Sequence, residues 1–339
     1  MTAPRGQQGA GAARSLALVI PVRNDARGLA ALLRQAAEMG CFSQVVIADD
    51  ASDRRVRRWH VPLSLLGCTT VLRSRVQGGA GQARNRALAA VGCSHLVFFD
   101  SDDLFTADLP PLWQELDGED FDFCLFRHYD SRALAQGRLG QMPVDDLLWR
   151  MAGCAAGGLQ MVSGLAAARL AETANYPWNK IYRTAFLREH GVRFSELPVH
   201  NDIAAHWQSF ACAGRILASD RAAAVHAVRE GGGRLTNRRS AERLRVFEAL
   251  AEAAAAVRAR HGTASVLMLA LLRFACGLID WVRGQIETGL QAEFDRLAAG
   301  FLGRELGRDG LSGWLSREDP VLALRVTLLM AQGTGRGQS

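Results

Sequence analysis

The first hundred residues alternate short apolar runs with amphipathic ones. Residues 16–22 (LALVIPV), 43–49 (SQVVIAD), 69–73 (TTVLR) and 95–99 (HLVFF) are apolar stretches of strand length. A strand covered on both faces by other layers needs such a run. Between them, 27–39, 53–60 and 81–91 read as helices, and in the first of these Leu29, Leu32, Leu33 and Ala36 recur at helical spacing. Strand followed by helix, repeated, predicts a mainly parallel sheet with helices on both sides. Farther on, 121–130 reads as a strand, 201–213 as a helix and 214–228 as one or two strands. From about residue 240 the pattern is helical, over 240–260, 265–284, 289–303 and 319–331. The expected organisation is an arm at 1–14, an α/β domain over 15–239, a helical region over 240–331 and a tail at 332–339. The small, polar, glycine-rich arm and tail carry no packing signal.

In sheets of this kind ligands sit beyond the carboxyl ends of the strands. The polar clusters fall there: RND at 23–25, DDAS at 49–52 and DSDD at 100–103. Three acid-bearing loops are therefore expected to meet at one sheet edge. Carboxylates separated by one residue in a tight turn suit a hard cation such as Mg²⁺ or Mn²⁺, which prefers oxygen ligands. An Asp-rich turn that only caps a helix is the plainer reading of DSDD alone.

Composition narrows the field. The chain has 339 residues and a net charge of +6, a balance that leans towards anionic partners. Thirty-nine of its forty basic residues are arginine, and the only lysine is Lys180. Against that background a single lysine carries information. Seven cysteines stand without a CxxC pair, which points to free thiols in a reducing, cytoplasmic setting. The longest apolar stretch, 265–282, is interrupted by Arg273 and Asp280 and reads as a buried helix, with a peripheral membrane face as the minority reading. A dinucleotide fold needs a glycine-rich turn directly after the first strand; PVRND at 21–25 has none. Walker-A and HExxH patterns are absent, and no aromatic-basic motif points to nucleic acid.

The ordered series VIPVRND, VVIADDAS, GGAGQARNRAL, LVFFDSDD, WNKIYR and HNDIAAHW, spread over about 16–230, resembles family 2 of the inverting glycosyltransferases, whose fold is called GT-A. The resemblance implies transfer of a sugar from a nucleotide-diphosphate donor, with a UDP-sugar preferred, to a hydroxyl of a glycan or lipid-linked acceptor. It implies Mn²⁺ or Mg²⁺ as cofactor and a site on the cytoplasmic side, at the inner face of a membrane or away from it. On this resemblance Pro21, Val22 and Asn24 line the base and ribose, and Asp50 reads the base, with Asp49 and Ser52 in the same turn. Gly78 and Gly81 admit a phosphate, Arg84 pairs with it, and Asp100 and Ser101 complete the donor set. Asp102, Asp100 and Asp103 are the candidate metal ligands.

The family's Glu-Asp pair, which supplies the base that deprotonates the acceptor, corresponds to Asn201 and Asp202. Asp202 is the candidate base, although a plain helix cap is the alternative for an Asp there. Asn201 in place of Glu removes a negative neighbour, which tends to lower the Asp202 pKa. Lys180 is a candidate catalytic cation, and Trp178, Asn201 and His206 are candidate acceptor contacts. The glycine-rich basic loop 229–239 reads either as a lid over the diphosphate or as a solvated loop. Two rival functions stay open: a sugar-phosphate nucleotidyltransferase, and a nucleotide-sugar binder that has lost transfer, which Asn201 brings to mind.

Overall fold

The computed structural model describes residues 14–228, 240–308 and 310–334. The expected lid at 229–239 lies outside the described residues, as do 1–13 and 335–339. Among the described residues nine strands form one sheet. Its first part is the expected parallel unit: β3 (Thr69–Arg73), β2 (Gln44–Asp49), β1 (Leu16–Val22) and β4 (His95–Phe98), side by side in that order. Beyond β4 the sheet becomes mixed. β8 (Lys180–Arg183) runs antiparallel to both β4 and β6 (Phe123–Asp130), so β6 points the same way as β4. β9 (Ile216–His226) is parallel to β6 and carries β5 (Leu104–Phe105) and β7 (Leu159–Val162) as antiparallel partners.

The central strands β1, β2 and β4 are mainly apolar because both faces are covered. Along β1, Leu16, Leu18, Ile20 and Val22 enter one buried cluster, and Ala17 and Val19 enter the other. The first cluster lies under α1 (Ala26–Met39) and α3 (Leu109–Glu115). Helix α1 buries Leu29, Leu32, Leu33 and Ala36 as its spacing predicts, and stops at Gly40 in the left-handed conformation, φ 64°. The second cluster is formed with α2 (Gly79–Ala89), α6 (Gly164–Ala171) and α8 (Ile203–Cys212).

The remaining helices of the α/β part are α4 (Ser131–Ala135), α5 (Pro143–Met151) and α7 (Thr184–Glu189). Five more follow: α9 (Val246–His261), α10 (Val266–Gln285), α11 (Gln291–Leu306), α12 (Leu311–Glu318) and α13 (Pro320–Thr334). They share the second cluster rather than forming a core of their own, and Trp207 of α8 meets Phe274 of α10 with ring centroids 5.5 Å apart. Helix α12 falls between two expected helices, and α13 runs three residues into the expected tail. No helix among the described residues is long and apolar enough to cross a membrane.

The helix expected over 53–60 does not form. The segment is irregular up to a single 3₁₀ turn at Arg58–His60, followed by another at Leu63–Cys68. Arg54, Arg55, Arg57 and Arg58 would repel one another at helical three- and four-residue spacings, and the acid beside them, Asp53, is bonded to Asn24 instead. Buried Val61 and Leu65 fix the chain instead.

Candidate active site

All three expected loops converge at the carboxyl edge of the sheet. Among the described residues, only three other than glycine have positive φ: Asn24 (55°), Ala51 (55°) and His200 (60°). Each lies in a loop at this edge, after β1, after β2 and before α8. A side-chain-bearing residue held there costs about 1–2 kcal/mol, so the surrounding bonds must over-determine the conformation.

Those bonds are specific. The Asp49 carboxylate is fully buried and accepts from Ser52 N (2.9 Å) and Arg73 Nη1 (2.7 Å). Ser52 Oγ in turn accepts from Asn24 N at 3.0 Å, while Asn24 and Asp53 exchange two hydrogen bonds. Val22 O accepts from Asp50 N at 2.9 Å, and Pro21 sits within β1 opposite Ala48. Asp50 accepts from Gly78 N (2.8 Å) and Gly79 N (2.9 Å) with its two oxygens. This corrects two expectations. Ser52 is committed to joining the β1 and β2 loops. The Gly78 amide, expected to face a phosphate, points at Asp50. Gly81 is likewise corrected: a Cβ there would come within 2.0 Å of Ser195 O, so the bare residue lets α2 pack on the 195–201 segment.

The DSDD loop is divided in the same way. Ser101 Oγ donates to Asp25 Oδ2 (2.7 Å), and Asp25 Oδ1 accepts from Gly28 N to cap α1. In the sequence Asp25 stands only as part of the RND cluster; its cap on α1 and its tie to Ser101 are seen in the fold. Asp103 is buried and accepts from Ala227 N at 3.0 Å, which joins this loop to the end of β9. Asp102 is half-buried at the turn. Asp100 Oδ1 accepts from Arg84 Nη2 at 2.5 Å, and Oδ2 has no partner among the described residues. No three His, Cys, Asp or Glu side chains converge to enclose an ion among the described residues. The three-carboxylate metal set is therefore corrected to Asp102 with Asp100, since Asp103 is turned to β9. Such a pair fits Mg²⁺ or Mn²⁺, which takes one or two carboxylates and completes its shell with phosphate oxygens.

Arg84 is the link to the acceptor-side candidates. It is 4% exposed and lies 5.1 Å from the Phe194 ring. While Nη2 holds Asp100, Nη1 donates to Asn201 Oδ1 at 2.9 Å. Asn85, one residue on, pairs twice with the Phe194 backbone (2.8 and 3.0 Å) and fixes the register of α2 against this segment.

Asn201 is thereby committed to Arg84, and Asp202 stands beside it at the start of α8. Asp202 makes no capping bond, and among the described residues only its own backbone N–H donates to its side chain. Its pKa is raised to about 6, chiefly by burial; Arg84 pulls it down and Asp100 pushes it up. The net direction is opposite to the lowering expected from Asn201, because desolvation outweighs the missing neighbour.

Lys180 opens β8 fully buried, with Nζ donating to Tyr176 O (2.8 Å) and Asn179 Oδ1 (2.7 Å). Burial lowers its pKa to about 7 against the pull of Asp202 and Asp145. An ammonium with these partners fixes the loop before β8; the expectation that it touches donor or acceptor is corrected. His206 is corrected too. It is 2% exposed, bonds Ala171 O at 2.9 Å, and is held well below the usual histidine range by burial and by Lys180. Trp178, expected to stack on a sugar, is 1% exposed and stacks on Tyr176 at 4.5 Å, with His128 edge-on at 4.9 Å. Beneath these rings Asp130 accepts from Arg132 Nε (2.9 Å) and lies 3.1 Å from His226 Nδ1, a buried group the sequence did not single out.

Comparison with known proteins bears on the fold. Residues 17–151 match the model described as Glycosyl transferase family 2. No curated protein matches the sequence. Among solved structures, S. aureus TarS 1–349 in complex with UDP-GlcNAc aligns with a TM-score of 0.72 at 19% identity, over 94% of this chain and 89% of that one. The same protein in complex with UDP gives 0.69 at 19% identity over the same shares. The mannosyltransferase PcManGT from Pyrobaculum calidifontis, in complex with GDP-Man and Mn²⁺, gives 0.54 at 14% identity, over 94% of this chain and 86% of that one. The family match spans β1 to β6, the Arg84 helix and the DSDD loop; β7 to β9, Lys180, Asn201 and Asp202 lie beyond it, within the region that only the fold comparison covers. Residues 17–151 are thus similar to glycosyl transferase family 2, and the architecture of the chain is the GT-A fold.

Proposed function

We propose that the protein transfers a sugar, with inversion, from a nucleotide-diphosphate sugar to a hydroxyl of a glycan or lipid-linked acceptor. The observation that carries this reading is the Arg84 bridge, which ties Asp100 to Asn201 and so sets a half-buried carboxylate, Asp202, beside the DSDD loop. In the reaction Asp202 accepts the proton of the acceptor hydroxyl, the oxygen bonds to the anomeric carbon, and the sugar–phosphate bond breaks on the opposite face. A carboxyl with a pKa of about 6 is ionised at neutral pH yet basic enough to take that proton. Arg84 directs positive charge at the edge where the diphosphate departs. Asp102 and Asp100 would hold Mn²⁺ or Mg²⁺, which offsets charge on the leaving diphosphate. UDP-sugars are the first donors to test, because one fold neighbour is solved with UDP and with UDP-GlcNAc.

A thermal-shift screen of UDP- and GDP-sugars, with and without Mn²⁺, tests the donor assignment. The matching donor raises Tm only when the metal is present, since a ligand bound only by the folded state stabilises it. Asp102→Ala is expected to erase that shift while leaving the Tm of the free protein within about 2 °C. An unchanged shift in Asp102→Ala would remove the metal assignment. A second reading, donor binding without transfer, is favoured by Asn201 standing where the family has an acid. Release of the free nucleoside diphosphate from the bound donor separates the two, because a pure binder releases none.

A further inference from the structure

The segment between β2 and β3 carries charge that the described protein does not answer. Arg54, Arg55, Arg57 and Arg58 are all exposed, as is Arg75 in the loop after β3. None of the five forms an ion pair among the described residues, and the two acids in the segment are engaged, Asp50 by the Gly78 and Gly79 amides and Asp53 by Asn24. Apolar side chains stand among these charges: Trp59 is 72% exposed, Leu63 88% and Val76 77%.

Their exposure is built in. Arg57 N donates to His60 Nδ1 at 3.0 Å and closes the 3₁₀ turn. Buried Val61 and Leu65 anchor the segment just beyond it. The turn holds Trp59 outward, with the Arg57 guanidinium 4.8 Å from its ring. Arg73 Nη2 donates to Ser52 O at 2.7 Å, and Ser74 N to Asp49 O at 2.8 Å, so the two exposed loops start from one tied point at the sheet's end strand.

We propose that this patch docks the protein on an anionic lipid surface. The arginines supply attraction to acidic headgroups, and an exposed tryptophan with leucine and valine supplies what enters the headgroup region. A polyanion such as RNA would use the charge but give Leu63 and Val76 nothing to bury. The C-terminal helices, where the sequence first suggested membrane contact, hold eleven basic and eleven acidic residues over 240–334 and offer no such surplus. The patch shares no residue with the candidate site, so docking stands whether or not the transfer reading does. If that reading holds, docking at the carboxyl edge of β2 and β3 turns the site's own edge towards the surface, which suits a lipid-linked acceptor.

Co-sedimentation of the full chain with vesicles tests this, using phosphatidylcholine alone and a 7:3 mixture with phosphatidylglycerol. The expected result is binding to the mixed vesicles only, weakening as salt rises. Changing Arg54, Arg55, Arg57 and Arg58 together to Gln should cut partitioning by a hundredfold or more, at roughly fivefold per charge. Trp59→Ser with Leu63→Ser should cut it roughly tenfold and leave binding of polyuridylate unchanged. Both variants should keep the parent's circular dichroism and Tm, because every altered side chain is exposed. Failure of the unmodified protein to sediment with mixed vesicles overturns the proposal. So does full binding by the four-arginine variant. Parent-like sedimentation of the Trp59/Leu63 variant, with polyuridylate displacing the vesicles, overturns it as well and assigns the patch to a polyanion.

Discussion

Asp202→Asn is expected to reduce sugar transfer by roughly 10²–10⁴-fold, the usual worth of a positioned general base, while donor binding by thermal shift stays intact. The amide keeps the shape and cannot take the proton. In the unmodified protein the rate should rise with pH through about 6, where Asp202 ionises. The variant's residual rate should lose that step. The same substitution should alter stability in a pH-dependent way. The folded carboxyl titrates near 6, above the roughly 4 of an unfolded aspartate. The folded state thus holds the proton more tightly, and that stability is present below about pH 4 and is lost as pH rises through about 6. The amide carries no charge to desolvate, so the variant should melt higher than the parent at pH 7.5 and not at pH 4. Equal melting at both pH values, with transfer retained, would take the base role away from Asp202.

Arg84→Lys and Arg84→Met should each lower both transfer and stability. The guanidinium serves Asp100 and Asn201 at once through separate nitrogens. A lysine ammonium lacks that fork and leaves one partner unmet. Breaking a buried ion pair costs about 3–5 kcal/mol, and because Asp100 is 28% exposed we expect about 2–4. The readout is the urea midpoint at unchanged slope. The double variant Arg84→Met, Asp100→Asn should recover most of the stability, since no charge is stranded, and none of the transfer. Recovery of transfer as well would reduce the bridge to a packing device.

How much of this was legible beforehand depends on the range of the interaction. The bounds of β1 agree with its apolar run, because a strand covered on both faces writes itself as unbroken hydrophobic sequence. Asp49 as the acid that holds its turn was readable, since its partner Ser52 lies three residues away. The Arg84–Asn201 bond spans 117 positions and leaves no local trace. Trp178, His206 and Gly81 failed for a related reason. An aromatic ring, an imidazole or a bare glycine looks alike in sequence whether it meets a ligand or the protein's own interior, and here all three meet the interior. Over 53–60 charge repulsion, which apolar periodicity ignores, decided against a helix.

The lone lysine has a practical side. With Lys180 fully buried, the folded surface presents no side-chain amine. Acylating reagents and amine cross-linkers therefore have no lysine to capture in the native protein. Burial is what lowers the pKa of that amine, so once the edge opens it reacts as an ordinary lysine. Acylation of one residue, followed over time by mass, thus becomes a clock for the opening of the β8 edge, built into the chain without any label.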